Sequence, residues 1–219
     1  SPSYLFTLSN EIAAAYMDEE GRQRLDWSVD KVNEVIERLQ KIDRVFVFTG
    51  DDFDSTIKAK DNTKILFKID GIKGSKVKKI LRTDHNIRLE MSDYYYGLIL
   101  TSLMNDEEDY EKLIKAIEEI AATAPYEEIN SVSIEMPTPQ VVMNLAAAYY
   151  GKKELVDLES AIGRVSAASI IPYPPGIPLI VPGEMITREL YDHIIMTMEN
   201  GLEIVGLMGY NKDKIVVVE

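Results

Sequence analysis

The sequence predicts an α+β fold made of long N-terminal helices, a small antiparallel-sheet domain with helices on one face, and a second small α+β C-terminal domain. Apolar residues recur at helical spacing at the start of the chain. Short β-rich runs then alternate with capped helical stretches, and a proline-rich run divides the last part. These observations predict connecting helices at 1–42, the small domain at 43–125 and the C-terminal domain at 126–219.

Two amphipathic helices open the chain. Gly21 interrupts the first or separates it from the second, which ends near Ile42. The first apolar stripe repeats every four residues: Tyr4, Leu8, Ile12 and Tyr16. The second stripe has the same helical spacing: Leu25, Val29, Val32, Ile36 and Leu39.

The small domain is predicted from strands interleaved with helices. Its four predicted strands are 45–48, 65–69, 87–91 and 98–100. Ser75 is the predicted cap of one helix. Asn105 is the predicted cap of another, with Glu108 three residues later in a capping-box arrangement.

The C-terminal domain is predicted to begin near Tyr126. A helix is expected from Thr138 through Ala148, with Pro139 as its first residue. A second helix is expected from its cap Thr187 to about Glu199. The predicted strands are 131–134, a segment around Val205, and 215–218.

Residues 172–184 carry the most informative local pattern. Proline fixes φ and lacks an N–H, so this proline-rich run suits neither a helix interior nor a central strand. Gly176 and Gly183 permit bends that other residues resist. The run predicts a rigid, twice-bent loop that fixes the position of Glu184. From these residues alone, the loop is either a structural connection or part of a binding site.

Composition limits the functional classes. The 219 residues carry a formal net charge of −13, which argues against a nucleic-acid partner and is compatible with a cationic substrate. No apolar run is long enough to span a membrane. The absence of cysteine excludes a disulfide scaffold and fits a cytoplasmic location. No metal-binding motif occurs, and the two histidines, His85 and His193, lack ligand spacing.

Several blocks resemble the ornithine/lysine/arginine decarboxylases, which are pyridoxal-phosphate enzymes of the aspartate-aminotransferase fold. The most specific are 161–168, reading AIGRVSAA, then 171–178, reading IPYPPGIP, and the Pro-Gly-Glu element at 182–184. Further similar blocks, in the same order as in the family, lie at 1–5, 70–71, 81–87, 90–91 and 100–102. The resemblance therefore extends from one end of the chain to the other.

The resemblance implies a cofactor that this chain does not anchor. The family's Schiff-base lysine directly follows a histidine, whereas Asn86 follows His85 and Ile194 follows His193. We therefore expect this chain to be a C-terminal fragment that contains no catalytic residue and is inactive alone. Pyridoxal phosphate would be held by the N-terminal domain of the full-length enzyme. The resemblance further implies a homodimer or higher homo-oligomer.

Site residues implied by the resemblance are few. Ser1 and Ser3 correspond to a hydroxyl-rich block that approaches the cofactor phosphate in the family. The alternative is simple helix capping, with Pro2 as the first helical residue. Glu184 corresponds to a glutamate near the substrate entrance, where a carboxylate would select a cationic tail. Its alternative is a structural cap, or an ion pair with Arg188.

Two functions follow as hypotheses. The first is a part of a decarboxylase in polyamine metabolism that converts lysine, arginine or ornithine to a diamine or agmatine plus carbon dioxide. The second is a stand-alone, non-catalytic interaction domain that retains the decarboxylase scaffold. The upstream reading frame distinguishes them, because only the first requires a preceding domain with a His-Lys element.

Overall fold

The computed structural model describes residues 2–50, 59–129, 137–173 and 176–219. Contacts divide the chain into two compact units, Ser1–Ile129 and Asn130–Glu219. Both units combine helices with small antiparallel sheets, which confirms the predicted α+β class. The predicted domain limits at 42/43 and 125/126 remain predictions.

The first unit is an antiparallel sheet packed with helices. Its described elements are α1 (Tyr4–Glu19), α2 (Gly21–Leu39), β1 (Val45–Val47), β2 (Lys64–Ile69), α3 (Gly74–Thr83), β3 (Met91–Ser92), β4 (Gly97–Leu100) and α4 (Glu107–Thr123). The four described strands have the order β1-β2-β4-β3. Alternate β2 residues Ile65, Phe67 and Ile69 are at most 1% exposed. They share one core with apolar side chains of α2, α3 and α4, as the period-two and helical patterns require.

Three local predictions in this unit are wrong in detail. Ser75 does not cap α3, because the backbone N–H of Gly74 already donates to Tyr94 O at 3.0 Å and the helix begins there. The capping box of α4 is formed by Asp106 and Asp109, one residue later than predicted. The strand expected at 87–91 is confined to Met91–Ser92.

Helix α1 is unusual because none of its residues is buried. The predicted apolar stripe exists, but Tyr4 is 88% exposed and Ile12 is 60% exposed. The apolar face of α1 is therefore not covered by any described residue, and the described helix that contacts α1 is α2.

Asp61 closes the turn before β2 and provides a pH-dependent contact. One carboxylate oxygen accepts from the Thr63 N–H at 2.9 Å and from the Thr63 hydroxyl at 2.7 Å, and Lys64 Nζ lies 3.3 Å from the other. The Thr63 hydroxyl and amide, helped by Lys64, lower the pKa of Asp61 to about 2. This contact therefore stabilises the fold above about pH 4 and is lost as the pH falls towards 2.

We expect an NMR titration to give an Asp61 midpoint near 2. Thr63→Val removes the hydroxyl donor and should move that midpoint upwards. Thr123→Val is the matched control, because the Thr123 hydroxyl donates to Glu119 O and not to a carboxylate. An Asp61 midpoint that is the same in all three proteins would contradict the assigned cause.

The second unit contains two small sheets around one core. Its elements are α5 (Leu145–Tyr150), β5 (Lys153–Asp157), a 3₁₀ turn (Glu159–Ala161), β6 (Ile171–Tyr173), α6 (Arg188–Glu199), β7 (Glu203–Val205) and β8 (Lys214–Val218). β5 pairs with β8 and β6 pairs with β7, both antiparallel. Ile170, Ile186, Ile194 and Ile215 are fully buried at the centre. The predicted cap of α6 is confirmed, since Thr187 Oγ1 accepts from the Leu190 N–H.

The helix predicted from Thr138 through Ala148 is wrong. Asn144 caps a shorter helix, α5, and residues 140–143 are held extended by bonds to residues 183 and 185. β5 was not predicted. The strand predicted at 131–134 lies outside the described residues.

None of the described helices has the length and apolar character needed to cross a bilayer. The described residues also bring no three His, Cys, Asp or Glu side chains into an arrangement that could hold a metal ion.

Candidate functional site

The Pro-Gly-Glu element lies in the middle of a three-segment backbone ladder. On one side, the Ser166 N–H donates to Glu184 O at 2.8 Å, and the Gly183 N–H donates to Ser166 O at 2.9 Å. The ladder continues from the Ile186 N–H to Arg164 O at 2.9 Å. Two of the sequence blocks that carry the family resemblance, 161–168 and 182–184, are therefore joined by main-chain bonds.

The second side of the element is paired with the segment before α5. Met185 donates its N–H to Gln140 O at 2.9 Å, and Met143 donates to Gly183 O at 3.0 Å. Val141 and Glu184 form a bridge pair between these segments. The position of the Glu184 backbone is therefore fixed from both sides.

Residues 181–184 form a tight turn. The Glu184 N–H donates to Val181 O at 3.3 Å, and Gly183 has a φ of +95°. Proline at the second position and a positive-φ glycine at the third are typical of a type II turn. The Glu184 carboxylate then accepts from the Val181 N–H at 2.9 Å, which closes the turn a second time.

Glu184 is a buried carboxylate, with 8% of its surface exposed. Among the described residues no cation pairs with it, and the predicted alternative partner Arg188 lies instead near Asp192, at 3.9 Å, and over the Tyr191 ring. A buried carboxylate is costly without opposite charge or several donors. The Val181 N–H satisfies one acceptor position of the carboxylate and closes the turn. The cap of α6 is Thr187 and not Glu184.

The space beside Glu184 is small. A cavity of about 10 Å³ lies among segment 137–139, Ile180, Glu184 and Leu190, at the limit for one water molecule. The described residues around this carboxylate therefore do not enclose a substrate-sized pocket.

The proline-rich loop is closed at its base and exposed at its tip. Ile170 and Ile180 form a bridge pair, with the Leu179 N–H donating to Ile170 O at 2.8 Å. Pro172 lies within β6, whose one partner among the described strands is β7, as expected for a proline at a sheet edge. Near the tip, Ile177 is 63% exposed. The loop thus combines an anchored base with an accessible apolar side chain.

The predicted cofactor-binding serines lie in the other compact unit. Ser1 is outside the described residues. Ser3 is exposed at the N-cap position of α1, and its side chain makes no capping bond. Pro2 precedes the cap, so its predicted place as the first helical residue is wrong. The main-chain O of Ser3 accepts from the Thr7 N–H and hydroxyl.

One polar residue of this region was missed by sequence reasoning. Ser166 is fully buried, and its hydroxyl donates to Ala168 O at 2.7 Å. Its place within the AIGRVSAA block was the available signal.

Of the histidines, His193 is half-buried on α6, and burial lowers its pKa. Within the described part of its unit, His193 makes no hydrogen bond or ion pair with Glu184.

The fold matches solved decarboxylase structures. The constitutive lysine decarboxylase of Escherichia coli superposes with a TM-score of 0.78 over 100% of this chain and 44% of that chain, at 19% identity. Lysine decarboxylase A from Pseudomonas aeruginosa gives a TM-score of 0.75 over 100% and 43%, at 18% identity. The chain therefore shares the fold of part of these enzymes, less than half of each solved chain.

Sequence comparison identifies the family. Residues 126–207 match the family model "Orn/Lys/Arg decarboxylase, C-terminal domain". An arginine decarboxylase of Bacillus subtilis is 30% identical over 212 residues, which is 94% of this chain and 43% of the relative. The inducible lysine decarboxylase of Escherichia coli is 49% identical over 55 residues, covering 23% of this chain and 8% of the relative.

This chain thus corresponds to the C-terminal portion of an Orn/Lys/Arg decarboxylase, as its sequence blocks predicted. It spans less than half the length of the full-length arginine decarboxylase that it matches.

Proposed function

We propose that this chain provides the small domain and the C-terminal domain of a pyridoxal-phosphate-dependent basic amino acid decarboxylase. The similarity to the Bacillus subtilis arginine decarboxylase over 94% of the chain carries the proposal. The reaction of the whole protein would convert arginine, lysine or ornithine to agmatine or a diamine plus carbon dioxide.

Glu184 has the proposed role of substrate recognition. Its carboxylate is buried, is fixed by the 181–184 turn, and meets no cation among the described residues. The distal ammonium or guanidinium of a basic amino acid would supply the missing charge through a charge-assisted hydrogen bond. Glu184 would therefore select the tail of the substrate and take no part in proton transfer.

The residues of this chain do not fit a complete cofactor site. Neither histidine is followed by lysine, and Ser3 is an exposed residue at a helix start. In the proposed enzyme, pyridoxal phosphate is an electron sink anchored by the protein's N-terminal domain. Ser1 and Ser3 would approach its phosphate from a second subunit of a cytoplasmic homo-oligomer.

The proposal predicts that the 219-residue chain forms no internal aldimine. After addition of pyridoxal phosphate, removal of excess cofactor and then borohydride reduction, mass spectrometry should find no stoichiometric adduct on one lysine. Assays with arginine, lysine and ornithine should release no carbon dioxide above a heat-treated control.

The complete reading frame is the positive control. If it encodes a preceding domain with a His-Lys element, its product should carry a trapped adduct and decarboxylate one of the three amino acids. A reading frame without that element, or a complete product inactive on all three, would favour the interaction-domain hypothesis. A stoichiometric adduct on this chain would overturn the assignment of the anchor to another domain.

A further inference from the structure

Strand β5 uses only one of its two edges. It pairs with β8 along its whole length, and beyond the strand end the Leu158 N–H donates to Asp213 O at 2.8 Å. Antiparallel strands bond through alternate residues. The backbone N–H and C=O groups of Glu154 and Val156 therefore point towards β8, as those of Leu158 do. The other three residues direct their N–H and C=O groups away from β8: Lys153, Leu155 and Asp157.

The far edge of β8 is already occupied. The Val218 N–H donates to Val165 O at 2.9 Å, and the Ala167 N–H donates to Val216 O at 3.0 Å. β8 is therefore the inner strand and β5 the outer one. Within the described parts of the chain, no group bonds to the outward backbone of β5.

The side chains of β5 make this edge accessible. Leu155 is 49% exposed, whereas Val156 on the opposite face packs against the core of the unit. Lys153 and Asp157 share the exposed face with Leu155, because side chains alternate along a strand. An accessible edge with a central leucine is a template for another strand.

The edge is complementary to itself. Antiparallel pairing of two β5 strands about a twofold axis at Leu155 places Lys153 of each copy opposite Asp157 of the other. The outward N–H and C=O groups of these residues and of Leu155 then form backbone hydrogen bonds with the residue directly opposite in the second copy. Opposite charges directly across a strand pair are stabilising, whereas a parallel in-register pairing would oppose like charges.

Both charged side chains are held near this edge in the single chain. Lys153 Nζ lies 4.5 Å from the Tyr149 ring centroid, and Asp157 bonds to Lys214 at 2.5 Å. These contacts restrain the two groups on the exposed face. We propose that the outer edge of β5 is a pairing surface for a second copy of this chain, in an antiparallel contact centred on Leu155.

The test is the association of the 219-residue chain, followed by sedimentation velocity from roughly 5 to 200 µM. We expect a concentration-dependent dimer. Hydrogen exchange of the peptide that contains Leu155 should slow as the dimer forms. A monomer throughout this range would overturn the proposal.

Two variants test the contact itself. Leu155→Pro removes an N–H that does not bond to β8, so the fold should persist while the dissociation constant rises by at least about tenfold. Lys153→Glu places a negative charge opposite Asp157 of the second copy. The repulsion should raise the dissociation constant by about fivefold or more. If the Leu155→Pro variant fails to fold, the dissociation constant of the Lys153→Glu variant still tests the contact.

Lys152→Glu is the matched control, because it makes the same charge change one residue outside β5. It should leave the dissociation constant within about twofold of the parent. A dimer that survives both edge variants would overturn the proposal and place the contact elsewhere, for example on the exposed face of α1. Equal weakening by Lys152→Glu and Lys153→Glu would also overturn it.

Discussion

Replacement of Gly183 by alanine should lower the free energy of unfolding by more than about 3 kcal/mol. Gly183 has a φ of +95°, and an added Cβ would lie 2.5 Å from Met143 O. The left-handed backbone alone costs an alanine about 1–2 kcal/mol. The clash adds to this cost, because relief would require movement of the ladder that holds Glu184. Urea denaturation followed by circular dichroism measures the effect.

Gly176→Ala is the matched control for backbone conformation. Gly176 also has a positive φ, of +89°, but the nearest atom to an added Cβ is a Tyr173 ring carbon at 3.6 Å. This variant should lose only about 1 kcal/mol. Equal losses at the two positions would show that the close approach to Met143 has no energetic consequence.

Glu184→Gln should lower kcat/KM of the complete enzyme for its basic substrate by roughly ten- to a hundredfold. In the proposed role of Glu184, the substitution would replace a charge-assisted hydrogen bond to the substrate cation by a neutral one, a loss of about 1–3 kcal/mol. Stability should change little, because the amide oxygen of glutamine can still accept from the Val181 N–H. Steady-state kinetics and thermal unfolding measure the two effects separately.

Two controls separate substrate recognition from a structural role. Glu189→Gln neutralises an exposed carboxylate on α6 and should leave kcat/KM unchanged. A substrate with an uncharged tail, such as norleucine, should be converted equally by the parent enzyme and Glu184→Gln. Equal losses on charged and uncharged substrates would assign Glu184 a structural role. An enzyme inactive on every basic amino acid would instead overturn the proposed reaction.

Local signals predicted most of the helices and the turn at the site. The long helices α1, α2 and α4 follow from apolar spacing, and the turn before Glu184 follows from Pro182 and Gly183. The one-residue capping error at α4 arose where two side chains compete. Asn105 and Asp106 are both good caps, and the bond from Asp106 to the Asp109 N–H decides between them.

Pairing between distant segments could not be predicted from local sequence. Thr138 and Pro139 are a helical start signal, yet residues 140–143 are not helical, because their backbone bonds to Gly183 and Met185. β5 holds only Leu155 and Val156 between charged residues, and its strand conformation depends on β8. The burial of Glu184 has the same origin, because the three segments around it meet only in the folded unit.

The three-segment ladder has a consequence for substrate length. A carboxylate fixed by main-chain bonds cannot move to follow tails of different reach, and ornithine, lysine and arginine differ mainly in that reach. If Glu184 marks the far end of the substrate, the choice among the three depends on how far the reacting centre lies from this fixed point. A change in preference would then require substitutions on the opposing wall, with the Pro-Gly-Glu turn unchanged.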